Sequence, residues 1–132
     1  MAVLCEAMIP LLGVLLIATA IRRRPLAVVA RIAGALAWVY LFHFGDMYLG
    51  IWKSRGLDFS AHTGVALAVG CTLAGMGRVW AAITLAVWIV YAYLMIQLGY
   101  HSLADILTTS AAVLPGTIAA QFLFRSRGTV EP

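Results

Sequence analysis

Five apolar stretches fill most of this sequence, two without a charged residue and three with one each, and the polar punctuation between them is short. The clearest is Val79 to Leu98, twenty residues with no Asp, Glu, Lys or Arg. At 1.5 Å per residue such a segment spans about 30 Å as a helix, the thickness of the hydrocarbon layer. With 64% hydrophobic and 11% charged residues in 132 positions, and a mean hydropathy of +0.99, too few charges remain to cover a soluble globule of this size. The reading is an all-α, polytopic membrane helix bundle forming a single domain.

About five transmembrane helices are expected, over 2–21, 26–44, 60–77, 79–98 and 102–124. Arg22-Arg23-Arg24-Pro25 ends the first, and proline suits the first turn of the second. The first run ends in Ala18-Thr19-Ala20 and so has the outline of a signal peptide. It carries Glu6 and no basic residue ahead of its apolar stretch, however, so it is read as a retained span. Gly45 to Phe59 mixes glycines, aromatics and both signs of charge, and is expected as an interfacial loop in the headgroup layer with at most one amphipathic turn. Ala66, Gly70 and Ala74 put small residues at four-residue spacing on the third span, a face that lets another helix approach closely. Pro115-Gly116 is expected to kink the fifth span.

The net charge of +4 does not suggest nucleic-acid binding, because the nine Lys and Arg are scattered and mostly flank apolar runs, Arg31 alone lying within one. Alternate loops of five spans lie on opposite sides. Arg22, Arg23, Arg24, Arg78, Arg125 and Arg127 fall on one side, against Lys53 and Arg55 on the other. The positive-inside rule makes the first side cytoplasmic, with the N-terminus outside, in what is expected to be a cytoplasmic membrane. Cys5 and Cys71 lie in separate apolar runs and read as small buried hydrophobes.

Two polar clusters break this background. His101 and Asp105 are four apart at the start of the last span, where they would share a helix face and let the carboxylate orient the imidazole. His62 begins the third span and comes to the same membrane face. One histidine can attack while the other protonates a leaving oxygen. Helix N-terminal amides with the hydroxyls of Ser60 and Ser102 suit an anion, and Lys53 and Arg55 add positive charge, either for a substrate phosphate or for lipid headgroups generally. Asp46 and Asp58 are expected to pair with Lys53 or Arg55 or to face water. His43 is read as an interfacial residue capping the second span, or else as a third member of the site. A metal held by His62, His101 and Asp105 is chemically possible but has no supporting ligand pattern, so no metal or cofactor is expected.

Ser60-Ala61-His62-Thr63 and His101-Ser102-Leu103-Ala104-Asp105 resemble the SGHT-type and HxxxD segments of the type 2 phosphatidic acid phosphatase superfamily, which includes the sphingomyelin synthases. The resemblance covers roughly Asp58 to Thr109. It implies a phosphohistidine on His101, Asp105 as its orienting partner, His62 as the acid for the leaving group, and a membrane lipid as substrate. The phosphatases' KxxxxxxRP segment has no counterpart here, Leu94-Met95 stand where they carry Ser-Arg, and Ala61 replaces the usual glycine. The sphingomyelin synthases also lack that Ser-Arg. The family has six spans against about five here, a difference that an absent N-terminal span or a partner chain would make up. Three functions are therefore carried forward. They are a lipid phosphatase acting at the outer face, a lipid phosphotransferase of the same superfamily, and a non-catalytic membrane subunit in a homo-oligomer or a partner complex.

Overall fold

The computed structural model describes residues 11, 13–15, 18 and 25–124. Among them every regular element is helical: α1 Pro25–Leu49, a single 3-10 turn Lys53–Arg55, α2 Ala61–Ala74, α3 Arg78–Gln97 and α4 Leu103–Leu123. Leu11, Gly13, Val14, Leu15 and Ala18 are helical as well. The rest of the expected first span, Arg22 to Arg24, and the tail from Arg125 lie outside the described residues.

The chain is an all-α bundle, and α1, α3 and α4 are long and apolar enough to cross a membrane. At 14 residues α2 is about 21 Å long, short of a full hydrocarbon crossing. It is nevertheless the centre of the bundle, because it packs against α1, α3 and α4, while α4 also packs against α1. Small residues make this possible. A Cβ on Gly64 would lie 2.6 Å from Val39 Cγ1 of α1, and one on Gly70 would lie 2.6 Å from Thr84 Cγ2 of α3. The glycines thus let two neighbours close on α2 from different sides; Gly70 belongs to the expected small-residue row, and Gly64 lies off it. Large apolar side chains such as Leu26, Leu41, Val79, Leu85 and Phe122 point away from the bundle, the arrangement a lipid-exposed surface requires.

Two boundaries differ from those expected. Gly45 and Asp46 do not end α1, which continues to Leu49 and stops at Gly50 in the left-handed region (φ +60°). A glycine inside a helix costs only about 1 kcal/mol relative to alanine, less than the surrounding turns supply. The end is set instead by Asp46, whose carboxylate accepts from the Trp52 amide at 2.6 Å while its carbonyl accepts from the Gly50 amide at 2.7 Å. At the other end of the bundle α2 finishes at Ala74, ahead of the Gly75–Gly77 turn. The last expected span is likewise one element, with α4 running through Pro115. Beside it Trp38 of α1 packs on Gly116, where any Cβ would collide with the indole, and donates Nε1 to the Ala112 carbonyl at 3.1 Å.

The segment 50–60 folds back on the helix ends. Trp52 and Phe59 are buried, with ring centroids 5.0 Å apart, and Trp52 also meets Phe42 of α1 edge-on and donates Nε1 to Thr108 of α4 at 3.0 Å. These aromatics therefore fill one end of the bundle. Apolar area removed from water or interface outweighs the belt preference when a packing site is this close. Lys53, Ser54 and Arg55 remain exposed.

Candidate functional site

Helix alternation places the 50–60 segment, the start of α2 and the start of α4 at one end of the bundle, with Arg78 at the other. The start of α4 is fixed by a capping box. Ser102 is the N-cap and accepts from the Asp105 amide at 3.2 Å, while Asp105 Oδ2 accepts from the Ser102 amide at 2.8 Å and its hydroxyl at 2.7 Å. Asp105 Oδ1 reaches across to accept from the Asp58 amide at 2.8 Å. One buried carboxylate thus caps α4 and pins the segment leading into α2.

This geometry corrects the expected His101–Asp105 hydrogen bond. The residues are four apart in sequence, but α4 begins after Ser102, so His101 lies outside the helix and the one-face rule for helical neighbours does not apply to it. Both Asp105 oxygens are taken by other donors. His101 Nδ1 instead lies 3.5 Å from Asp58 Oδ2 without hydrogen-bond geometry, with the imidazole largely buried and the carboxylate 74% exposed. Asp58 was expected to meet Lys53, Arg55 or water, and its link to His101 had no local signal.

The two serines are also committed. Ser60 is fully buried as the N-cap of α2, accepting from the Thr63 amide at 3.3 Å with its hydroxyl 2.8 Å from that of Thr63, and its amide donates to Thr109 Oγ1 at 3.1 Å. The Ser102 hydroxyl is occupied by Asp105. Their role here is to build helix starts. Thr109, buried and holding α2 to α4, is a structural member of the site that no motif announced.

His62 occupies the second position of α2 and is exposed, with no hydrogen bond or ion pair to any of the described residues. Lys53 and Arg55 stand on the same end of the molecule. Arg55 donates to the Ile51 carbonyl at 3.3 Å, and neither residue pairs with Asp46 or Asp58. Asp46 is used by the Trp52 amide. His43 does not cap α1, which runs past it; its ring packs among Tyr40, Phe44 and Phe59. Among the described residues no three His, Cys, Asp or Glu side chains converge on a point that could hold a metal ion.

The end of the bundle therefore offers one oriented, mostly buried imidazole, one exposed imidazole, two exposed cations and two helix N-termini on a scaffold tied by Asp105 and Thr109. Comparison with protein-family models, with curated proteins and with solved structures gave no match.

Proposed function

We propose that the protein is a membrane enzyme that cleaves a phosphoester or diphosphate bond of a lipid at the outer face of the membrane through a phosphohistidine on His101. The observation that carries this reading is the Asp105 tie. It holds the segment bearing Asp58 against the start of α4, so that a carboxylate faces His101 Nδ1. With Nδ1 turned to Asp58, the Nε2 lone pair is the one available to attack phosphorus. Asp58 then takes the orienting role that the family resemblance gives to Asp105, and Asp105 positions Asp58. His62, exposed at the start of α2, protonates the departing oxygen, and Lys53 and Arg55 meet the phosphoryl oxygens. Water attacks the phosphohistidine to release phosphate; in a phosphotransferase a lipid or sugar hydroxyl takes its place.

The full use of Ser60, Ser102 and Asp105 in helix caps favours a second reading, in which this polar end is a structural network of a non-catalytic membrane subunit. Purified protein incubated with radiolabelled phospholipids and isoprenoid phosphates separates the three. Free phosphate identifies the hydrolase and new labelled lipids identify the transferase. His101→Ala is expected to abolish an acid-labile phosphoenzyme. His62→Ala should slow its formation by about 10²–10⁴-fold with poor leaving groups and far less with an activated aryl phosphate. Full turnover in both variants would overturn the assignment of the two histidines, and no turnover in the parent protein on any of these lipids leaves the subunit reading.

A further inference from the structure

A second feature lies along the seam between α1 and α4. Small residues there leave an open groove of about 600 Å³, walled by Gly34, Ala37 and Trp38 of α1 and by Pro115, Gly116 and Ala119 of α4, among others. The one polar side-chain atom of these six, Trp38 Nε1, is spent on the Ala112 carbonyl, so the wall is apolar. From Gly34 to Leu41 the groove follows α1 for about 10 Å. Arg31 is one turn from Gly34 and, at 100° per residue, within about 20° of Trp38, so it stands at the end of the groove nearer Pro25. It is also inside the apolar span, about 9 Å along α1 from Pro25. Its Nε is buried without a hydrogen-bond partner, and its Nη groups, which are not buried, have no hydrogen bond or ion pair among the described residues.

A guanidinium within a membrane span calls for an anion, and the chain's own acids do not supply one. Of the five Asp and Glu, Asp46, Asp58 and Asp105 lie at the opposite end of the bundle. Glu6 is separated from Arg22 by an apolar run, and Glu131 has Arg125 and Arg127 closer to it in sequence. A second copy in the same orientation, or the first apolar run laid in the seam, would bring apolar side chains to the groove but no carboxylate to Arg31. A phospholipid brings both. Its phosphate lies at the depth a snorkelling arginine reaches, where a guanidinium can hold two of its oxygens, and a chain leaving that phosphate meets an apolar groove on the same helix face.

We propose that the α1–α4 groove binds one acyl chain of an anionic phospholipid whose phosphate is held by Arg31. The site does not rest on the phosphoryl chemistry above, whose residues occupy the other end of the bundle.

The test uses the full-length protein in nanodiscs with trace phosphatidylglycerol or phosphatidylcholine carrying a photoreactive diazirine on one acyl chain, the labelled peptides being mapped by mass spectrometry. Labelling of 34–41 and 115–123 is scaled to that of the exposed face of α3 at Ile89 and Tyr93. Phosphatidylglycerol should label the seam about three- to tenfold more than phosphatidylcholine does, the factor expected of one cation at an anionic headgroup. Arg31→Gln should remove that excess. Ala37→Phe, at an exposed position, fills the groove and should remove seam labelling by either lipid with Arg31 intact. Glycerol 3-phosphate, a charged headgroup without a chain, should leave the labelling unchanged. Should Arg31→Gln fail to fold, the headgroup comparison in the parent and Ala37→Phe still decide. Equal labelling by both lipids, or an excess that survives Arg31→Gln, would overturn the proposal. So would displacement by glycerol 3-phosphate, which marks a bare anion site, or a seam that neither lipid labels, which marks a groove covered by residues 1–24 or by a second copy.

Discussion

Asp105→Asn puts the central tie under the sharpest strain, because the substitution keeps size and shape while changing two acceptor oxygens into one acceptor and one donor. The carboxylate receives the Asp58 amide on Oδ1 and the Ser102 amide and hydroxyl on Oδ2. An asparagine amide can serve one of these sides. If its oxygen keeps the Asp58 amide, its NH2 group faces the Ser102 N–H; if it is flipped, it faces the Asp58 N–H. Either way one backbone donor is left unpaired at a position only 7% exposed, which costs about 1–3 kcal/mol. The surviving bonds also change from charge-assisted to neutral, for about 1 kcal/mol more. The expected loss is about 2–4 kcal/mol, read by equilibrium unfolding in mixed detergent micelles, with faster hydrogen exchange at the Asp58 amide. Asp58→Ala is the control. It removes the exposed carboxylate but not the backbone N–H that Asp105 holds, so stability should stay within about 0.5 kcal/mol of the parent. If Asp105→Asn also stays within that margin, Asp105 is not the tie and the argument placing Asp58 against His101 fails with it.

Two further outcomes are expected. Gly70→Ala should destabilise by about 1–3 kcal/mol, because its methyl would sit 2.6 Å from Thr84 Cγ2, and Thr84→Ser, which deletes that methyl, should recover much of the loss in a double-mutant cycle; additive losses would show that α3 does not press on Gly70. For orientation, Ser54→Cys, on the exposed 3-10 turn, should react with a membrane-impermeant maleimide in intact cells while Ser126→Cys is protected; the reverse pattern would invert the topology and move the proposed site to the cytoplasmic face.

What the sequence determined by itself was whatever neighbouring residues settle among themselves. Apolar runs of twenty residues leave the backbone no partner in hydrocarbon but its own next turn, so helices over about 26–44, 79–98 and 102–124 were legible, though not the continuation of the first to Leu49. Gly70, in the row with Ala66 and Ala74, marked where a neighbour would close in, and Ser102-Leu103-Ala104-Asp105 carried a readable capping pattern. That pattern already implied that α4 begins after Ser102 and that His101 stands outside it, at odds with the one-face reading of His101 and Asp105. Only the tertiary structure could decide which groups meet across elements. That His101 faces Asp58, that Asp105 spends its second oxygen on the Asp58 amide, that Thr109 holds Ser60, and that Trp52 and Phe59 sink into the bundle all depend on how α2 and α4 are set against each other in depth and rotation. That setting comes from shape fitting among Val39, Gly64, Val113 and their neighbours. A shift of one residue, about 1.5 Å along and 100° around a helix, would exchange every one of those partners without altering a single local propensity.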